Sequence, residues 1–177
     1  SKLSLKKDNY FLVSLHREEN VDDKKTLSNY IDAIQFLSKK YKKKIIFSTH
    51  YRTQQNLKKY KLDKNKNIYF AKPFGFIDYM KLQQNSFLTL SDSGTLSEES
   101  SILGINSIHL RHCTERPEGL ENGAIILSSF SKNKLVASIN LNKITKKKIN
   151  NLKNYSNKNV SSTIAKSVIT FLNYYKK

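Results

Sequence analysis

A chain of 177 residues with 32 lysines and arginines against 14 aspartates and glutamates, net charge +18, is long enough for one domain that buries roughly 70% of its unfolded surface. A lone cysteine, Cys113, excludes an internal disulfide, and no paired Cys or His spacing marks a structural metal site. No apolar run approaches the roughly 20 residues of a membrane span, and "SKLSLKKDNYFLVSL" has too short an apolar core for a secretory signal, so a soluble cytoplasmic protein with no membrane partner is expected.

Short apolar runs recur along the chain. "YFLVSL" at 10 to 15, "KIIFS" at 44 to 48, "NIYFA" at 67 to 71, "FLTL" at 87 to 90, "SIHL" at 107 to 110 and "AIIL" at 124 to 127 each read as a buried strand. Between the first four lie helical patterns: "LSNYIDAIQFLSKKY" with Leu27, Ile31, Ile34 and Leu37 on one face, the shorter "QQNLKKY", and "IDYMKLQQN". Strand and helix alternate, which predicts an α/β fold with a parallel sheet of about six strands joined by right-handed crossovers. After residue 130 the strand signals fade. "KLVASINL", "KKKINNLKN" and "STIAKSVITFLNYY" read as helices over one face or edge, the last packed by its apolar side. There is no internal repeat and no Pro/Gly-rich linker.

The stretch "LTLSDSGTLSEESSILG" at 88 to 104 is a strand, a tight turn and a helix, with Leu96, Ile102 and Leu103 near helical spacing and Ser and Thr as cap candidates. On these residues alone it reads first as an ordinary capped helix and only second as a phosphate site, where free N–H groups and the helix dipole meet an anion and a carboxylate one turn on takes sugar hydroxyls. In open α/β sheets ligands bind beyond the carboxyl ends of the strands. There the sequence places "HREEN", "THYRT", "KPFGFIDY", "SDSGT" and "RHCTERPEG". Taken singly, His16 could cap a helix, His50 could be a loop histidine, and Arg116 could pair with Glu115 or Glu118. Together, His, Arg and Ser-Gly at successive strand ends suit an anionic, sugar-bearing ligand.

The positive charge first suggests nucleic acid. The lysines are scattered, however, in "KKYKKK", "KKYKLDKNKN" and "KKKINNLKN", mixed with Asn, with few arginines and no recognition helix or RNP-like aromatic motif. The pattern is that of a solvated surface, and no nucleic-acid partner is expected.

"SLHREEN", "SDSGTLSEES" and "LRHCTERPEGLENGA" resemble the second half of the non-hydrolysing UDP-N-acetylglucosamine 2-epimerases, in order and register over roughly residues 10 to 130. "KPFGFIDYMKLQQNSFLTLSDSGT" is similar to the branch acting on UDP-2-acetamido-2,6-dideoxy-hexoses in capsule or O-antigen synthesis. The resemblance implies a glycosyltransferase-B-like enzyme of two Rossmann-like domains, of which residues 1–177 are the C-terminal one, with the N-terminal domain outside this chain. It implies a UDP-sugar substrate, a homodimer when full length, and neither cofactor nor metal.

Carried over by resemblance, His16 lies beside the diphosphate and reacting sugar as the catalytic candidate. Ser93, Gly94 and Thr95 hold the phosphates, Glu99 the ribose, Arg116 the phosphate side, and Tyr79 the uracil. Arg17 and His50 match positions that contact a second, regulatory UDP-sugar in some relatives. Thr95 stands where the broader family has a second glycine, and Phe74 replaces a polar residue near uracil. The family inverts C2 by eliminating UDP to a glycal and adding it back. The acid and base for that step belong to the N-terminal domain, so this chain alone is expected to be inactive. A UDP-sugar-binding module without turnover, or a glycosyltransferase domain, would share "SEES", whereas "HREEN" and "TERPEG" favour the epimerase.

Overall fold

The computed structural model describes residues 4–144, 155 and 158–175. Six strands form one parallel sheet in the order β3-β2-β1-β4-β5-β6: β1 Tyr10–Ser14, β2 Lys44–Ser48, β3 Ile68–Ala71, β4 Leu88–Ser91, β5 Ser107–His109 and β6 Ile126–Leu127. Among the described residues eight helices accompany them: α1 Glu18–Val21, α2 Lys24–Tyr41, α3 Tyr51–Lys59, α4 Phe76–Asn85, α5 Leu96–Leu103, α6 Glu118–Glu121, α7 Lys132–Ile144 and α8 Val160–Tyr175. The expected parallel α/β sheet is therefore present. The run "AIIL" contributes only two residues to β6, and two short helices, α1 and α6, lie within the stretches read as polar loops.

Successive strand residues face opposite sides of the sheet. Phe11, Val13 and Leu15 join the larger core with Leu27, Ile31, Ile34 and Leu37 of α2, all buried, and with Leu135 and Ile139 of α7. Burying each such side chain contributes about 1.5–3 kcal/mol, and α2 is further fixed by Asp23, whose carboxylate accepts from the Thr26 N–H at 2.7 Å. Tyr10, Leu12 and Ile46 form a smaller cluster on the other face, under Phe74, Tyr79 and Leu82. The Tyr10 hydroxyl donates to the Leu82 carbonyl at 2.7 Å, tying α4 to that face.

Burial in two helices departs from their apolar spacing, and for the last of them the packing expectation needs correction. In α5 the buried positions are Leu96, Ser97, Ser100 and Ser101, while Ile102 is exposed. Small side chains are needed there because α6 lies close: a Cβ on Gly119 would stand 2.8 Å from the Ser97 Cβ and Oγ. The helix "STIAKSVITFLNYY" forms as α8, but it is not packed by its apolar face. Val160, Ile164, Val168, Ile169, Phe171, Leu172 and Tyr174 are all exposed, and the large core is built with α2 and α7. The stretch "KKKINNLKN" lies outside the described residues.

Candidate functional site

The strand order reverses between β1 and β4, whose carboxyl ends stand side by side with Ser14 paired to Ser91. Parallel α/β sheets open a crevice at such a switch point. The two loops that leave it, Leu15 to Arg17 and Asp92 to Thr95, carry most of the site.

Asp92 joins them. Its side chain is fully buried, and its carboxylate accepts from the backbone N–H of His16 at 3.1 Å, that of Arg17 at 3.0 Å and the Asn20 amide at 2.8 Å. The His16 Nδ1 lies 3.0 Å from its Oδ1. Burial works to raise the Asp92 pKa, but these donors outweigh it and hold the carboxyl below its ordinary range. His16 is raised above the usual imidazole value, chiefly by the hydrogen bond to Asp92 against the opposing effects of burial and of Arg17 and Arg111.

Beyond Asp92 the turn enters α5 without a capping side chain. Thr95 occupies the N-cap position with helical backbone angles and makes no cap bond, contrary to the capping reading. Its hydroxyl donates instead to Glu99 Oε1 at 2.8 Å and lies 2.9 Å from the Ser93 hydroxyl. Gln83 of α4 donates to the other Glu99 oxygen at 2.6 Å. Glu98, one residue earlier, turns away and pairs with Arg116, whose Nη1 donates to Glu98 Oε2 at 3.3 Å and whose Nε lies 3.0 Å from Oε1. Adjacent helical residues point about 100° apart, and here that separation sends Glu99 toward α4 and Glu98 toward α6.

Arg116 thus pairs with Glu98, not with the surface carboxylates Glu115 or Glu118. Its guanidinium also covers the turn, since a Cβ on Gly94 would meet Arg116 Nη1 at 2.8 Å. Tyr79 is half-buried on the small apolar cluster, with its hydroxyl against Ser14 and Ser91. Burial, and then the Glu99 charge, push its phenol upward. The structure therefore gathers His16, Tyr79, Ser93, Gly94, Thr95, Glu99 and Arg116 around one crevice.

The other candidates are placed differently. Arg17 is taken up within the loop, its Nε donating to the Asp92 carbonyl at 3.2 Å. His50 precedes α3 without capping it, and its ring centre is 6.3 Å from that of His16. Arg52, in the first turn of α3, is held by Glu18 and Asp22. Among the described residues no group of three or more His, Cys, Asp or Glu could hold a metal ion, and no helix is long and apolar enough to cross a membrane.

Three participants escaped the sequence. Asp92 reads as ordinary turn chemistry, and Asn20 as a loop residue. Gln83 carries one signal, its spacing of four from Tyr79, which puts both on one face of α4.

Comparison with known proteins bears on this geometry. The chain matches the family described as UDP-N-acetylglucosamine 2-epimerase over residues 1–169. It is 38% identical over 173 residues to a UDP-N-acetylglucosamine 2-epimerase of Methanocaldococcus jannaschii, covering 96% of this chain and 46% of that protein. Among solved structures it is similar to the UDP-GlcNAc 2-epimerase of the same organism in complex with UDP-GlcNAc and UDP, at 43% identity and TM-score 0.73 over 80% of this chain and 40% of that one. The UDP-N-acetylglucosamine 2-epimerase of Rickettsia bellii gives 34% identity and TM-score 0.77 over 98% and 47%. The chain spans about half the length of these relatives.

Proposed function

The chain belongs to the UDP-N-acetylglucosamine 2-epimerase family, and on that premise we propose that it is the UDP-binding half of an enzyme that inverts C2 of a UDP-N-acetylhexosamine. The observation that carries the reading is the meeting of two loops at the sheet's switch point. His16 comes from the end of β1, and Ser93, Gly94, Thr95 and Glu99 come from the turn and first turns of α5 after β4. Two similar structures, from M. jannaschii and Neisseria meningitidis, are described as bound to UDP-GlcNAc, which supports the same ligand class here.

In this reading the diphosphate rests on the Ser93–Thr95 turn, with Arg116 and a protonated His16 supplying positive charge. Glu99 accepts from the ribose hydroxyls, and Tyr79 lies on the uracil side. Elimination breaks the C1–O bond, the electron pair leaving with UDP, while a base takes the C2 proton. The resulting glycal is protonated on the opposite face as UDP adds back. His16 and the turn stabilise the leaving diphosphate. The acid and base at C2 come from an N-terminal half, and the full-length enzyme is a homodimer. The substrate is a UDP-2-acetamido-2,6-dideoxy-hexose of the kind used for capsule or O-antigen, and the enzyme works in the cytoplasm. Arg17 and His50 border a place for a second, regulatory UDP-sugar.

Deuterium exchange at C2, read by NMR in heavy water, tests the division of labour. This chain alone is expected to leave substrate unlabelled, and addition of the N-terminal half to start exchange. Label incorporated by the chain alone would refute the assignment.

A further inference from the structure

The geometry points to Asp92 as the positioning residue of the site: it fixes the His16 imidazole with Nδ1 protonated toward the carboxylate and leaves Nε2 as the group that meets a ligand's diphosphate oxygens. The inference rests on the reading above for the identity of the ligand, while the orientation of the ring stands on geometry alone.

A carboxylate can only accept, so the 3.0 Å contact between Asp92 Oδ1 and His16 Nδ1 places a proton on Nδ1. The second ring nitrogen then faces away from Asp92. The half-buried His16 ring stands at the mouth of the crevice described above.

Asp92 is built to hold this arrangement and not to touch a ligand. It is fully buried, and an anion at its position would repel a diphosphate. It does not cap α5, as an aspartate before a helix often does. It reaches instead to residues some 75 positions earlier, accepting from the His16 and Arg17 N–H groups and from Asn20. The Asn20 carbonyl oxygen in turn accepts from the Tyr30 hydroxyl of α2. The carboxylate is locked from the core outward, and a locked carboxylate locks the ring it binds. An Asp–His pair of this kind sets the tautomer and favours the imidazolium.

The charges that face His16 are Asp92 from the turn after β4, Arg17 beside it, Arg111 from the segment after β5 and the neighbouring imidazole of His50. The two arginines and burial oppose protonation, and Asp92 outweighs them. With the proton retained, Nε2–H offers a diphosphate a charge-assisted hydrogen bond, roughly twice as strong as a neutral one.

Nitrogen-15 NMR of the histidines in the ligand-free chain tests the geometry. His16 is expected to keep Nδ1 protonated, to titrate at Nε2, and to do so above the free-imidazole value of about 6.5. Asp92→Asn is expected to lower that midpoint below the wild-type value. If this variant does not fold, the wild-type spectrum still decides: a neutral His16 protonated on Nε2, or a midpoint at or below about 6.5, overturns the proposal.

Calorimetric titration with UDP-N-acetylglucosamine, whose diphosphate diester keeps one charge state across the range from about pH 6 to 8, supplies the functional arm. Affinity is expected to fall as pH rises through the His16 midpoint, and the fall to shift to lower pH in Asp92→Asn. A pH profile that follows neither midpoint overturns the proposal. If the chain binds no UDP-sugar at all, the ligand assignment fails, and the nitrogen-15 pattern still rules on Asp92.

Discussion

Replacing Glu99 by glutamine is expected to weaken UDP binding ten- to hundredfold, and replacing Glu98 by glutamine to weaken it much less. Glu99 is held toward α4 by Thr95 and Gln83, on the side that carries Tyr79 and on which the proposed reading seats the ribose. A carboxylate accepting from ribose hydroxyls contributes about 1.5–3 kcal/mol, which is the stated range in affinity. Glutamine keeps the size but loses the charge and offers an amide donor where an acceptor is needed. Glu98 faces Arg116. Its substitution frees a guanidinium that the reading places beside the diphosphate, so the loss there is small. Calorimetric titration of UDP into both variants, with folding checked by circular dichroism, gives the comparison. Equal losses, or a larger one at Glu98, would mean that the helix faces have been assigned the wrong way round.

The second large effect concerns acid stability. His109 on β5 is fully buried, with both ring nitrogens lacking a hydrogen-bond partner among the described residues. Burial, reinforced by Arg111 and only partly opposed by the Asp92 backbone and carboxylate nearby, lowers its pKa from 6.5 to about 4. Between those values the unfolded chain binds a proton that the folded chain refuses, so stability is unaffected above about pH 6.5 and falls as pH drops toward 4. Over the whole window the loss is on the order of 3 kcal/mol. His16 works in the other direction. Its raised pKa means that its contribution is fully present below the unfolded value and is lost as pH rises through the folded one. Urea denaturation of the chain and of His109→Leu at about pH 4.5 and 7 isolates the buried group. The variant is expected to lose at least 2 kcal/mol less than the wild type between these pH values. Identical pH dependence in the two proteins would show that His109 is not neutral and buried as described.

Much of the fold was legible because its signals are local. Apolar runs of four to six residues gave the strands, and the spacing of Leu27, Ile31, Ile34 and Leu37 gave α2, since each of those side chains is buried on one face. What local pattern cannot report is what lies opposite a face. The apolar residues of α8 have helical spacing and were expected to be packed, yet they are exposed. Ile102 in α5 is exposed although it has helical spacing with Leu96, and where Gly119 of α6 approaches, the buried side of α5 carries the small side chain of Ser97.

At the site, His16, Ser93, Gly94, Thr95, Glu99 and Arg116 were named from motif resemblance, and the structure gathers them. The bonds that hold them were not legible. Asp92 to His16 and Gln83 to Glu99 join residues 76 and 16 apart, and only the strand order brings their loops together. His109 was hidden in the same way. Within "SIHL" it reads as one more member of a buried strand, and its isolation emerges only from the surroundings of its ring.

The central claim is that one crevice, at the junction of β1 and β4, takes UDP. A crystal structure of this chain grown with UDP tests it most directly. The account predicts the diphosphate within hydrogen-bond distance of the Ser93–Thr95 turn and of His16 Nε2, with the ribose hydroxyls on Glu99. The nucleotide seated elsewhere would contradict it, for example in the groove of about 530 Å³ at the opposite end of the sheet lined by Lys39, Lys42, Lys44, Lys66 and Tyr69.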